Sequence, residues 1–174
     1  MKKAIVMICL LIISSMSLWG ERVKVGAGYS PTSETLLFMA SLPMDGISEK
    51  IPGNLYVKLN WMKRDDPEGL QFQGEVWGWD IKERYVLDVL ILSLGYSTNI
   101  LWRDRIYLSP NIGFGHKSRY LQFQQTTFQQ NIYSITDRYF SDPGIDMTVF
   151  IDDIGITVGT SVHSLLQLGF MIRF

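Results

Sequence analysis

Apolar residues recur at every second position along most of this chain, and past the first twenty residues no continuous apolar run approaches the roughly 20 residues a membrane-spanning helix needs. A period of two is the mark of a strand with two different faces. In 22–30, Val23, Val25, Ala27 and Tyr29 oppose Arg22, Lys24, Gly26 and Gly28. In 55–62, Leu55, Val57, Leu59 and Trp61 alternate with Tyr56, Lys58 and Asn60. The pattern returns in 70–79, 105–114, 145–151, 154–162 and 166–174. The segment 85–96 is apolar on both faces apart from Asp88, which leaves its parity open, with a bulge as one way to switch it.

These segments predict eight strands. Between them lie shorter connections at 63–69, 98–104 and 152–153 and two long ones, 30–53 and 117–142. In an up-and-down barrel the three shorter connections fall on the side of the termini and the two long ones on the opposite side. That is the asymmetry of outer-membrane barrels, with short periplasmic turns and long outer loops. The fold expected is all-β: an eight-stranded antiparallel up-and-down transmembrane β-barrel. Aromatics near the ends of the apolar faces (Tyr29, Trp61, Phe114, Phe174) suit interfacial girdles, and glycine on the polar faces suits a crowded interior. A soluble lipocalin-like barrel or an exported sandwich would also alternate.

The first residues have the order of a secretory signal: Lys2 and Lys3, an apolar run from Ala4 to Ile13, then small residues. The expected organisation is a signal peptide over 1–20, cleaved after Ser17 or Gly20, and a barrel over 21–174. Removal of Lys2 and Lys3 leaves 14 Lys+Arg against 17 Asp+Glu, a net charge of −3 that gives no footing for nucleic acid. The one cysteine, Cys9, leaves with the signal, so no disulfide is available to the exported chain.

The chain ends Gln167-x-Gly169-x-x-Ile172-x-Phe174. This resembles the carboxy-terminal assembly signal of small bacterial outer-membrane β-barrel proteins: polar, x, Gly, x, x, hydrophobic, x, aromatic. The resemblance implies a last strand that the barrel-assembly machinery recognises and that pairs with the first strand to close the sheet. The physical logic agrees, since in lipid every backbone N–H and C=O must be paired and only a closed sheet achieves this.

Eight strands enclose an interior only wide enough for side chains. The inward set expected from parity includes Lys24, Lys58, Glu75, Arg105, Asp146 and Arg173, with Gln71, Gln73, Tyr107 and Asn111. Confined charges must pair, so these residues form a plug of salt bridges and hydrogen bonds. The competing readings are a narrow pore and a small-solute site with Trp77 and Trp79 as a stacking wall. His116-x-Ser118 resembles the His/Ser pair of lipid A deacylases, although Arg119 follows the serine and position 130, the place for a carboxylate, is Gln. A loop-edge histidine is the plain alternative, and His163-Ser164 reads as a tight turn. The first long loop, with "TLLFMASL" as a short amphipathic helix, and the second, with aromatics among glutamines, are candidate contacts for an extracellular ligand. No metal-spaced His/Cys set and no phosphate-cradling glycine loop is visible, so no cofactor or metal is expected. The function expected is structural or surface-interaction work in the outer membrane, among its lipids, with lipid modification and solute binding or passage as alternatives.

Overall fold

The computed structural model describes residues 23–44, 53–64, 70–73, 81–101, 105–124 and 131–174. These residues form nine strands: β1 (Lys24–Ser30), β2 (Thr35–Pro43), β3 (Asn54–Lys63), β4 (Leu70–Gln73), β5 (Ile81–Leu101), β6 (Ile106–Gln124), β7 (Asn131–Ile151), β8 (Ile154–Ser161) and β9 (Gln167–Arg173). Eight of them close a ring in the order β1-β2-β3-β5-β6-β7-β8-β9 and back to β1, every pair antiparallel. The seam is continuous from Lys24↔Arg173 to Tyr29↔Leu168, so neither first nor last strand has an open edge over that stretch. No helix among the described residues is long and apolar enough to cross a membrane. A barrel crosses a bilayer by its strands, and what bears on this is the outward face.

Alternation assigns the two faces. On β3, Asn54, Tyr56, Lys58, Asn60 and Met62 are buried, while the residues between them are half-buried. On β9, Gln167 and Met171 are buried and Leu168, Phe170 and Ile172 are exposed. The outward row of β8, Ile154, Ile156, Val158 and Thr160, continued by Val162 just past its end, faces away from the barrel. Its length matches the roughly 9–11 residues a tilted strand needs to span a bilayer. Apolar side chains turned outward this completely, around a polar interior, invert the plan of a soluble protein. Phe114 is 68% exposed and Ile156 60%. A lipocalin-like barrel would have these residues inside.

The eight ring strands differ in two places from those expected. The segment 30–53 is not one long loop with a helix: Thr35–Pro43 is the second ring strand, joined to β1 by a tight turn over 31–34. Its inward face contains Leu37 and Met39 as well as Thr35 and Ser41, so both faces read as apolar and the alternation is masked. Conversely, the described part of the alternating segment 70–79 supplies no ring strand. Leu70–Gln73 pairs in parallel with β7, from Leu70↔Ile132 to Gln73↔Ile135, outside the closed ring.

The connections change side accordingly. Lys63 ends β3 at the opening opposite the termini, so the connection that begins there, expected on the terminal side, starts at the distal one. Pro43 and Asn54 pair at the terminal opening. The long segment 117–142 is mostly strand: β6 and β7 stay paired from Ile106↔Val149 to Gln124↔Asn131. The segment 98–104 is likewise shortened by β5, which runs to Leu101, and residues 81–84, ahead of the expected strand 85–96, are part of β5. On β5 the odd residues Val89, Ile91 and Ser93 face inward and Leu90, Leu92 and Leu94 outward, and a bulge lies between Val86 and Asp88. The signal segment 1–20 and residues Glu75, Trp77 and Trp79 lie outside the described residues.

Candidate functional site

The interior is filled in tiers. At the terminal opening, Tyr107 and Phe150 meet edge to face, ring centroids 5.8 Å apart at 83°, and pack with Met39, Tyr56 and Met171. Two cations cap this aromatic layer. Lys24 Nζ lies 3.8 Å from the centre of the Tyr107 ring and the Arg173 guanidinium 5.0 Å from that of Phe150. With the Asn54 amide oriented to suit its neighbours, its oxygen accepts from Lys24 Nζ at 2.7 Å. Arg173, half-buried, also donates to the Asp152 carbonyl at 2.5 Å.

Above this layer sits an ionic knot. Lys58 Nζ donates to Asp146 Oδ2 at 2.7 Å and to Gln167 Oε1 at 2.8 Å; Asn111 Nδ2 donates to the same Asp146 oxygen at 2.8 Å. These residues come from β3, β7, β9 and β6, so the knot ties distant parts of the ring across its interior. Small residues make room for it: a Cβ added at Gly159 would collide with Asp146 Oδ1. A further buried carboxylate, Asp142, accepts from Ser161 Oγ and from the backbone N–H of His163, both at 2.8 Å, and so anchors the turn between β8 and β9.

Of the six charged residues expected inside, Lys24, Lys58 and Asp146 are buried there and Arg173 sits half-buried at the terminal opening. Arg105 is exposed in the turn before β6, where its carbonyl accepts from the Phe150 N–H at 2.7 Å. Glu75 is outside the described residues. Of the four terminal-motif residues, Gln167 belongs to the knot, Gly169 faces Gly28 across the seam, and Ile172 and Phe174 are exposed apolar groups at the terminal end.

His116 and Ser118 lie on the outward face at the distal rim. They occupy two successive rows that cross four strands, Trp61–Leu90–His116–Tyr139 and Lys63–Asp88–Ser118–Asp137. The first row ends the apolar belt and the second begins the polar surface. A carboxylate is present after all, at Asp137 rather than at position 130. Ser118 Oγ donates to Asp137 Oδ1 at 2.6 Å, and His116 Nε2 is 3.4 Å from the same oxygen. A histidine that activates a serine must stand between the hydroxyl and the carboxylate. Here the serine proton is held by the carboxylate directly, and His116 rests beside Tyr139, ring centroids 5.1 Å apart.

The distal mouth holds a cavity of about 280 Å³. Met62, Val86, Val89, Ile91 and Phe140 form its apolar wall, and Arg64, Glu34, Lys117 and His163 its polar one. Glu34, in the left-handed backbone region at φ 54°, turns its carboxylate onto Arg64. The His163 ring packs on Phe140 at 3.9 Å between centroids. Burial, with the nearby Arg119 charge, holds the Lys117 ammonium below the usual lysine pKa. No sequence pattern announces this cavity, because its residues come from six separate segments and share no spacing.

No protein-family model matches the chain, and no curated protein does. Among solved structures it is similar to Ail, the attachment invasion locus protein of Yersinia pestis, with 9% identity and a TM-score of 0.48. It is also similar to the complex of that protein with the heparin analogue sucrose octasulfate, with 12% identity and a TM-score of 0.47. In each case the match covers 88% of this chain and 94% of the other.

Proposed function

We propose that the chain, once its first 17 or 20 residues are removed, is an outer-membrane barrel with a plugged lumen that presents a long β-extension for contact with external surfaces. The observation that carries this reading is strand length. β5, β6 and β7 have 21, 19 and 21 residues, about twice the 9–11 that span a bilayer. Most of the excess lies beyond the distal rim, where β4 adds a further strand to the sheet. A barrel that only had to sit in the membrane would have no use for it, and strand edges held in water are ready partners for an extended segment of another chain.

The interior supports the same reading. An aromatic layer, the Lys58–Asp146 knot and the Asp142 anchor occupy successive levels of the lumen, which leaves conduction without a path. Outer-membrane lipids meet the apolar belt, and the barrel-assembly machinery meets the closing strand through Gln167, Gly169, Ile172 and Phe174. Exchange of residues 119–136 for a short turn tests the role of the extension. The shortened chain is expected to remain a heat-modifiable, membrane-integrated barrel while adhesion of cells to protein-coated surfaces falls. Unchanged adhesion, or stable single-channel steps from the full chain in a planar bilayer, would count against the proposal.

A further inference from the structure

Among the described residues, the face of the distal extension that continues the lumen side of β6 carries three cations, with Arg119 and Arg138 exposed and Lys117 half-buried. Lys117 stands directly opposite Arg138, and Arg119 lies two residues further along the same face of β6. Among the described residues none of the three has an ion-pair partner. The nearest acids in the register, Asp137 and Asp88, alternate onto the outward face, and Glu34 is taken by Arg64. Like charges placed directly opposite each other destabilise a sheet, and they do so here in a chain with more acids than bases.

The cavity gives that arrangement a purpose. Lys117 lines it together with His163 and the paired Arg64 and Glu34, and Met62, Val89, Ile91 and Phe140 supply its apolar lining. Arg119 and Arg138 stand beyond the lining next to Lys117. A bare anion would satisfy only the cations, and a hydrocarbon only the apolar lining. We infer that the distal mouth is a binding site for a small anionic amphiphile, a compact phosphate, sulfate or carboxylate head on an apolar body of about one ring. The head meets Lys117 and Arg119, with Arg138 adding to the field, and the body packs against Phe140 and Ile91. The depressed lysine pKa fits a site that lacks its counter-charge. This inference is independent of whether the extension binds surfaces.

Phenyl phosphate, with phenol and inorganic phosphate as its two halves, tests the site on the folded barrel in phosphatidylcholine nanodiscs. Calorimetry is expected to give saturable binding of phenyl phosphate at least about tenfold tighter than either half. Lys117→Gln and Arg119→Gln should each weaken it by about tenfold, as loss of a charge-assisted hydrogen bond does. Phe140→Ala should weaken phenyl phosphate and leave inorganic phosphate unchanged. Arg119 is exposed, so its variant folds even where Lys117→Gln does not, and the mobility of unboiled samples on gels verifies each. In nanodiscs with phosphatidylglycerol, retained binding identifies a soluble occupant, and lost binding identifies a lipid headgroup of the same chemistry. Absence of saturable binding by both phenyl phosphate and hexanoate, or equal binding by wild type and Arg119→Gln, overturns the inference.

Discussion

Lys58 Nζ and Asp146 Oδ2 meet at 2.7 Å inside the barrel, with both side chains 1% exposed. They are 88 residues apart in sequence and belong to β3 and β7, which share no edge in the ring. A buried pair of this kind contributes less to net stability than its distance suggests, because both charges were stripped of water. Loss of one partner is another matter, since the other charge is then buried alone. Gln167 and Asn111 add hydrogen bonds that spread the charge, which makes the knot a single unit.

The first prediction follows from that asymmetry. Lys58→Met and Asp146→Leu should each destabilise the barrel by about 3–5 kcal/mol. The double variant should recover most of the loss, because no charge is then stranded. Urea unfolding in lipid vesicles measures all three, and simple addition of the two single losses would show that the pair is not coupled.

A second prediction uses the strand whose parity the sequence left open. Leu92 is 49% exposed on the outward face and Ser93 is 1% exposed in the interior. Leu92→Arg near the middle of the bilayer should cost about 2–4 kcal/mol. The sequence holds one cysteine, Cys9, so with Cys9 replaced by serine single cysteines can be placed at each position. Cysteine at 92 should react with a lipid-soluble label in membranes, and cysteine at 93 should resist it. The reverse pattern would mean that the strand faces the other way.

The third concerns closure. Gly28 and Gly169 pair across the β1–β9 seam, and a Cβ at Gly28 would lie 2.7 Å from the Gly169 Cα. The obstacle is backbone, which cannot swing aside as a side chain can. Gly28→Val is therefore expected to lower the yield of heat-modifiable, protease-resistant barrel severely. Ala27→Val, on the outward face one residue away, should leave it near wild type. Equal yields would remove the seam from among the constraints on folding.

Wherever the interior is polar and the exterior apolar, the amino-acid sequence by itself determined which way each side chain faces. Lys58, Asp146, Gln167 and Leu168 could be assigned to their faces by counting in twos, because a strand offers no other geometry. Tertiary structure decided which alternating segments enter the ring. Thr35–Pro43 belongs to it although Leu37 and Met39 blur its inward face, and Leu70–Gln73 stands outside although its alternation is clean. Alternation is a local property of four to eight residues, whereas ring membership is a matter of register between strands, and one slip moves every side chain to the other face. The same holds for the distal cavity and for Asp137 beside Ser118. Their residues are neighbours only because antiparallel pairing folds one strand back along another, and no spacing within a single segment announces it.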